Sequence, residues 1–312
     1  MTNALTTLSG APLSEMMFGT MQFGGTADAD EAKAMYAASR AVGINAFDTA
    51  YAYNGGASER MLAPLIENER DQIYVATKNN FPAGAGGDVL RASLDESLAR
   101  LGLDQVDMFY LHRWDDDTPL EETFETMAEL QTQGLYRHIG VSNYAAWQVM
   151  KAQAVAAKFG TKIDAFQPMY NLVKRQAEVE ILPMAADQGI AIFPYSPLGG
   201  GLLTGKYATE GAEGRLITDK MYAARYAQDW MHGVAQELTA MAGDLGVSPI
   251  TLAVAWAGHH PDVTAPIISA RSLAQLQPSL DAATFEMTDA LYDQITALSR
   301  TPAPATDRLE EA

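Results

Sequence analysis

The sequence predicts a single (β/α)8 barrel, and three observations carry that prediction. Eight short apolar runs rich in strand-forming residues recur along the chain, and segments with helical spacing lie between them. Seven of the eight runs follow one another at about 25–35 residues, the length of one strand–helix unit. Strand, helix, strand in alternation implies parallel pairing, and near-continuous apolar strands imply burial on both faces.

The runs are MMFGT (16–20), INAFD (44–48), IYVAT (73–77), VDMFYL (106–111), HIGVS (138–142), AFQ (165–167), IAIFPYS (190–196) and APIIS (265–269). Helical spacing is plain over 29–43, 88–102 and 118–134, and Gly43, Gly102, Gly134, Gly160 and Gly189 stand where helices stop. The exception to the period is the stretch 197–263 between the seventh and eighth runs. It holds a glycine-rich loop and at least two helices, one of them opened by Ser248 as N-cap with Pro249 at the first helical position. A doubly wound sheet is the rival fold, but it would carry G-x-G-x-x-G after the first strand, and none is there. One domain over residues 1–312 is expected, ending in a loosely ordered tail at 301–312 (TPAPATDRLEEA).

Composition narrows the function classes. The 312 residues are 48% hydrophobic, which excludes disorder, and the net charge of −18 repels phosphate backbones and anionic lipid. Neither nucleic acid nor membrane is an expected partner. No window reaches the ~18 uninterrupted apolar residues of a membrane span, and the N-terminus lacks the basic start of a signal peptide, so a cytoplasmic location is expected. There are no cysteines, which removes disulfides, thiolate metal sites and cysteine catalysis. The five histidines (112, 138, 232, 259 and 260) are too dispersed for a barrel hydrolase's metal centre, so no metal is expected. No feature sets an oligomeric state.

Such a barrel works at the C-terminal ends of its strands. There the chain places Asp48 with Tyr53 five residues on, then Lys78, His112, Ser142 and Asn143, Gln167, and Tyr195 with Ser196. A free phenol has a pKa of ~10 and is a poor acid at pH 7, whereas a neighbouring ammonium lowers that value. Asp48 would hold Lys78, Lys78 would activate Tyr53, and Tyr53 would protonate an oxygen gaining negative charge, with His112 as second donor or orienter. Pocket walls are expected from Met21 to Phe23, Tyr51, Asn79 to Phe81 (Asn80 included), Arg113, Trp114, Tyr144, Tyr222, Arg225, Tyr226 and Trp230.

From about Leu13 to Leu280 the chain resembles the aldo-keto reductase superfamily. FDTAYAYNGGASE (47–59) is similar to its signature around a catalytic Asp and Tyr; YVATK, FYLHRW, GVSNY, FQPMYN, YSPLGGGLLTGKY and the segment near IISARS follow in the family's order. The resemblance implies a catalytic tetrad of Asp48, Tyr53, Lys78 and His112, with Tyr53 as general acid. It also implies a nicotinamide nucleotide across the barrel mouth, since no side chain supplies a hydride. Ser142, Asn143 and Gln167 would bond the carboxamide and Tyr195 would stack on the ring, with Thr20 and Met21 beside ring and ribose. Ser196, Leu198, Gly200 and Lys206 would serve the pyrophosphate.

Ser269, Arg271 and Gln275 would meet the adenosine end, and Arg271 suits a ribose 2′-phosphate, so NADPH is expected over NADH. The sequence departs from the family with Ser269 for Gly, and with Pro278 and Ser279 where Glu and Asn are usual. Gly200 to Lys206 also reads G-x-x-x-x-G-K, but Tyr207 stands where a P-loop needs Ser or Thr. The resemblance therefore implies NADPH-dependent reduction of an aldehyde or ketone, a polar or sugar-like aldehyde being favoured by the pocket. The alternative is a regulatory protein resembling potassium-channel β subunits, with bound cofactor and slow turnover.

Overall fold

The computed structural model describes residues 5–208, 213–308 and 310. Eight parallel strands form one sheet: β1 (Met17–Gly19), β2 (Ala46–Asp48), β3 (Tyr74–Lys78), β4 (Val106–Leu111), β5 (Tyr136–Ser142), β6 (Ala165–Gln167), β7 (Ala191–Ile192) and β8 (Ile267–Ile268). Their order, β7-β6-β5-β4-β3-β2-β1-β8, follows the chain except that β8 pairs with β1. The ring closes between β7 and β8 through a parallel Tyr195–Ile267 bridge and the Ile267 N–H donating to the Pro194 carbonyl at 2.8 Å. The chain is a (β/α)8 barrel.

Among the expected strands, β7 falls furthest short of its apolar run. IAIFPYS yields only Ala191–Ile192 because Pro194 has no N–H for a ladder; beyond it the contacts are single bonds, such as Tyr195 N–H to the Pro168 carbonyl at 2.9 Å. β5 instead begins two residues before its expected start.

The helices are α1 (Ala29–Ala41), α2 (Ala57–Ile66), α3 (Gly87–Leu101), α4 (Leu120–Thr132), α5 (Ala146–Ala156) and α6 (Ile181–Gln188). Between β7 and β8 come two short ones, α7 (Arg215–Thr218) and α8 (Lys220–Arg225), then α9 (Asp229–Leu245) and α10 (Pro249–His259). The last two are α11 (Leu273–Leu280) and α12 (Asp289–Ala297). Gly43, Gly102, Gly134, Gly160 and Gly189 all adopt the left-handed backbone of a helix stop. Ser248 caps α10, its side chain accepting from Ile250 N at 3.2 Å, and Pro249 is at the first turn.

Strand periodicity divides the core in two. Met17, Ala46, Tyr74, Ala76, Met108, Tyr110, Ala165, Phe193, Ala265 and Ile267 fill the barrel interior. Their strand neighbours Phe18, Phe47, Val75, Phe109, Val141, Phe166, Ile192 and Ile268 face out to the helices. Below, residues 5–13 close the barrel floor: Thr6 bridges Pro12, Leu5 and Leu13 meet the interior cluster, and Arg137 donates to the Thr6 carbonyl at 2.7 Å. No single helix among the described residues is long and apolar enough to cross a membrane.

Candidate active site

Side chains alternate across a strand, so a residue two positions beyond an interior one points along the same axis at the rim. Asp48 follows Ala46, Lys78 follows Ala76, His112 follows Tyr110, Gln167 follows Ala165, Tyr195 follows Phe193, and Ser269 follows Ile267. The candidate residues thus form the next layer of side chains above the apolar interior.

At its centre Lys78, fully buried, donates from Nζ to Asp48 Oδ2 at 2.5 Å, to the Thr49 carbonyl at 2.8 Å and to Tyr53 Oη at 3.3 Å. Three acceptors satisfy the three protons of an ammonium. Gln167 Nε2 donates to the other Asp48 oxygen at 2.9 Å, and the Thr20 N–H and Oγ1 both donate to the Asp48 carbonyl. Burial works against the Lys78 charge, but Asp48 and Tyr53 outweigh it and raise its pKa.

The Tyr53 phenol is shifted upward, not downward. Burial is the largest cause; Lys78 opposes it, and the Asp48 charge adds to it. The lysine acts in the expected direction, but desolvation exceeds it, so the resting phenol keeps its proton at neutral pH. The His112 ring meets Tyr53 edge-on at 5.9 Å and Phe81 at 4.9 Å. Burial, then Lys78, pushes its pKa down to about 3, so the imidazole is neutral, and its Nδ1 is buried without a partner.

Around this centre Asn143 is exposed and left-handed (φ 58°). It donates to the His112 carbonyl and to Ser142 Oγ, each at 3.0 Å, and accepts from Tyr195 Oη at 2.7 Å. Ser142 donates in turn to the Gln167 carbonyl at 2.9 Å. Asn54 and Ser196 share the left-handed conformation (φ 50° and 60°), which costs an L-residue about 1–2 kcal/mol and collects at functional sites. The Asn54 amide donates to the Met21 and Phe23 carbonyls at 2.8 Å, tying the loop after β1 to the loop carrying Tyr53.

Past β7 the chain makes a tight turn over Gly199–Thr204. Gly200 and Gly201 are left-handed, and a Cβ on Gly200 would sit 2.7 Å from the Tyr222 ring. Among the described residues the loop is followed by 3₁₀ turns and no P-loop helix, so the P-loop pattern has no P-loop structure. Lys206 Nζ lies 4.9 Å above the Tyr207 ring, and Leu198, half-buried, precedes the turn. Arg215 and Arg225 flank Tyr222 at 5.2 Å each. Among the described residues, neither these two arginines nor Arg271 is paired with a carboxylate, whereas Arg40, Arg70, Arg100, Arg137 and Arg175 are. Arg271 and Gln275 are exposed at the start of α11, and Ser269 Oγ is buried with no partner. Pro278 packs within α11, its carbonyl accepting from Thr251 at 2.7 Å, and Ser279 is buried.

Several expected pocket walls lie elsewhere. Phe23 is fully buried 5.6 Å from the Phe18 ring and belongs to the core, because the turn after β1 folds it inward. The Tyr51 hydroxyl turns away from Lys78 and donates to Glu96 on α3 at 2.7 Å. Trp230 is covered by Arg300 at 5.0 Å. Trp114 and Tyr144 do meet edge-on at 5.1 Å beside exposed Arg113, with half-buried Asn80 at the end of β3. Among the described residues no three His, Asp or Glu side chains are grouped to hold a metal.

Three supports escape a reading by residue type. Ser58 bonds the Thr20 and Thr49 hydroxyls at 2.7 and 3.0 Å. Asn171, buried, donates to the Ser196 carbonyl at 2.9 Å. Glu59, buried, pairs with Arg100 at 3.0 Å. Only Ser58 and Glu59 had a local signal, closing the signature stretch.

Comparison with known proteins gives the class to which this barrel and its strand-end site belong. The aldo/keto reductase family model matches residues 15–300, and the chain belongs to that family. It is an NAD(P)H-dependent oxidoreductase. Aflatoxin B1 aldehyde reductase member 2 of Rattus norvegicus is 33% identical over 299 residues, covering 88% of this chain and 82% of the rat protein. Aldo-keto reductase family 7 member A3 of Homo sapiens is 33% identical over 290 residues, 86% of this chain and 88% of its own. A probable voltage-gated potassium channel subunit beta of Oryza sativa subsp. japonica is 34% identical over 293 residues, 88% of each.

Proposed function

We propose that the protein reduces an aldehyde or ketone with NADPH, Tyr53 delivering the proton. The observation that carries this reading is the buried chain Gln167–Asp48–Lys78–Tyr53, which ends on a phenol at the barrel mouth. When bound, the nicotinamide supplies the hydride. Tyr53 Oη donates to the carbonyl oxygen as negative charge gathers there, and an alkoxide is basic enough to take the proton from a phenol that burial has made weak. Lys78, at 3.3 Å, stabilises the phenolate left behind. Neutral His112 has one N–H to offer and cannot compete as a charged acid.

The residues present suit the nucleotide. The left-handed turn at Gly200 and Gly201 suits a pyrophosphate, and the Ser269 hydroxyl, without a partner among the described residues, and the exposed Arg271 suit the phosphorylated ribose. Ser142, Asn143 and Tyr195 form one hydrogen-bonded group that would share its bonds with the carboxamide. Arg113, Asn80 and Trp114 favour a polar, hydroxylated substrate. The test is a panel of aldehydes and sugars followed by NADPH oxidation, with Tyr53→Phe alongside. Repeated turnover is expected for the native protein, and a loss of ~10²–10⁴-fold with cofactor affinity retained for the variant. A single slow turnover would instead favour the regulatory reading, and full activity of Tyr53→Phe would remove Tyr53 from its role.

A further inference from the structure

The segment that carries Tyr53 is folded around one guanidinium. Arg100, near the end of α3, donates from Nη1 to the Tyr51 carbonyl and to Glu59 Oε2, each at 3.0 Å, and from Nη2 to Glu96. The Tyr51 ring lies 4.3 Å from its Cζ. Gly56 is so close that a Cβ there would fall 2.4 Å from the same Cζ. Residues 51 and 56 therefore both pack on the guanidinium, and Tyr53 rides on the turn between them.

The same cluster reaches Lys78 by two routes. Glu59, wholly buried, accepts from Thr77 Oγ1 at 2.7 Å, one residue before Lys78. The Tyr51 N–H donates to the Lys78 carbonyl at 3.1 Å. Tyr51 is thus pinned on both sides of its Cα, to β3 through its N–H and to α3 through its carbonyl. A buried carboxylate is costly unless paired and hydrogen-bonded, so Glu59 fixes Arg100 and β3 relative to each other.

We propose that Arg100, with Glu59, is a positioning residue that sets the Tyr53 hydroxyl against the Lys78 ammonium. The proposal rests on the reading of Tyr53 as the proton donor. It touches neither substrate nor cofactor; it acts by holding the loop. A lysine at 100 keeps the charge opposite Glu59 but cannot also hold the Tyr51 carbonyl and Glu96 in one plane.

The test labels the protein with 3-fluorotyrosine and identifies the Tyr53 resonance by its loss in Tyr53→Phe. Arg100→Lys and Glu59→Gln should each displace the Tyr53 resonance and leave that of Tyr292, on α12, in place. Turnover should fall about ten- to a hundredfold, the cost of ångström-scale misplacement, with the Kd for NADPH unchanged. An unmoved Tyr53 resonance in a folded variant overturns the proposal, as does a displacement shared equally by all tyrosines. Should Arg100→Lys fail to fold, Glu96→Gln, on the exposed side of the cluster, must shift the same resonance by a smaller amount; no shift there also overturns it. If the native protein reduces no aldehyde, the functional reading fails, and the resonance still decides the positioning.

Discussion

Replacing Lys78 with Met is the sharpest perturbation of the site, because it separates what the lysine does for stability from what it does for chemistry. Lys78 and Asp48 are both buried, with side-chain exposures of 0% and 3%, and their closest atoms are 2.5 Å apart. Methionine fills most of the lysine volume, so little cavity is created and packing contributes little. The dominant cost is a carboxylate stranded beneath the barrel mouth, with Gln167 as its one remaining side-chain donor. Removing one partner of a buried pair costs about 3–5 kcal/mol. Asp48→Asn together with Lys78→Met removes both charges and should recover most of that loss, because neutral groups of the same shape replace the pair. The assay is urea unfolding of the native protein, the two single variants and the double variant. If the double variant is as unstable as the two singles added together, the charges are not a pair and the reasoning fails. Turnover should behave in the opposite way: the double variant stays inactive, since recovered stability brings back no ammonium beside Tyr53.

Arg271→Ala should weaken NADPH binding about ten- to a hundredfold, as for a charge-assisted bond worth ~1.5–3 kcal/mol, and leave NADH nearly unchanged. Equal affinity of the native protein for both nucleotides, read by fluorescence titration, removes the basis for it. His112 has a folded-state pKa near 3, below its ordinary value, so the unfolded chain binds more protons between the two and stability falls as the pH drops through that window. At pH 5 the loss is roughly 1–2 kcal/mol relative to pH 7.5. Parallel pH curves for the native protein and His112→Gln, measured by urea unfolding, would show that His112 does not titrate this way. Gly140→Ala places a methyl 2.2 Å from Tyr110 Cε1 inside the barrel, and overpacking of this kind costs about 1–3 kcal/mol. A thermal midpoint equal to the native one would show that Tyr110 can move aside.

The fold was legible because its period was. Eight apolar runs at regular spacing define a barrel before any side chain is placed, and glycines mark where helices end. The placement of Asp48, Lys78 and His112 was legible too, since they fall at strand ends and one parity rule points them all upward. Less accessible was anything decided by a loop's path. Phe23 and Tyr51 look like pocket aromatics because they sit beside mouth residues in sequence, yet one turn buries Phe23 and another swings Tyr51 onto α3. The direction of the Tyr53 shift is hidden from the sequence for a related reason. A charge partner can be read from a motif, whereas the desolvation that outweighs it depends on how many separate segments converge. Glu59 and Arg100, 41 residues apart in the chain, leave no pattern in sequence by which to pair them.

The closing of the barrel floor and wall sets an order on how the chain can be made. Met17 pairs with Ile267, and the Thr6 carbonyl waits for Arg137. A chain emerging from the ribosome can assemble β1 through β6 as a curved parallel sheet, but its first strand stays an open edge until nearly the whole sequence has been synthesised. During that interval the sheet offers unpaired backbone at β1, and at the other end a β7 only two residues long with proline just beyond it. A short strand followed by a proline is a poor template for a second chain. The interruption that keeps β7 from matching its apolar run therefore also protects the unfinished barrel at the edge exposed last.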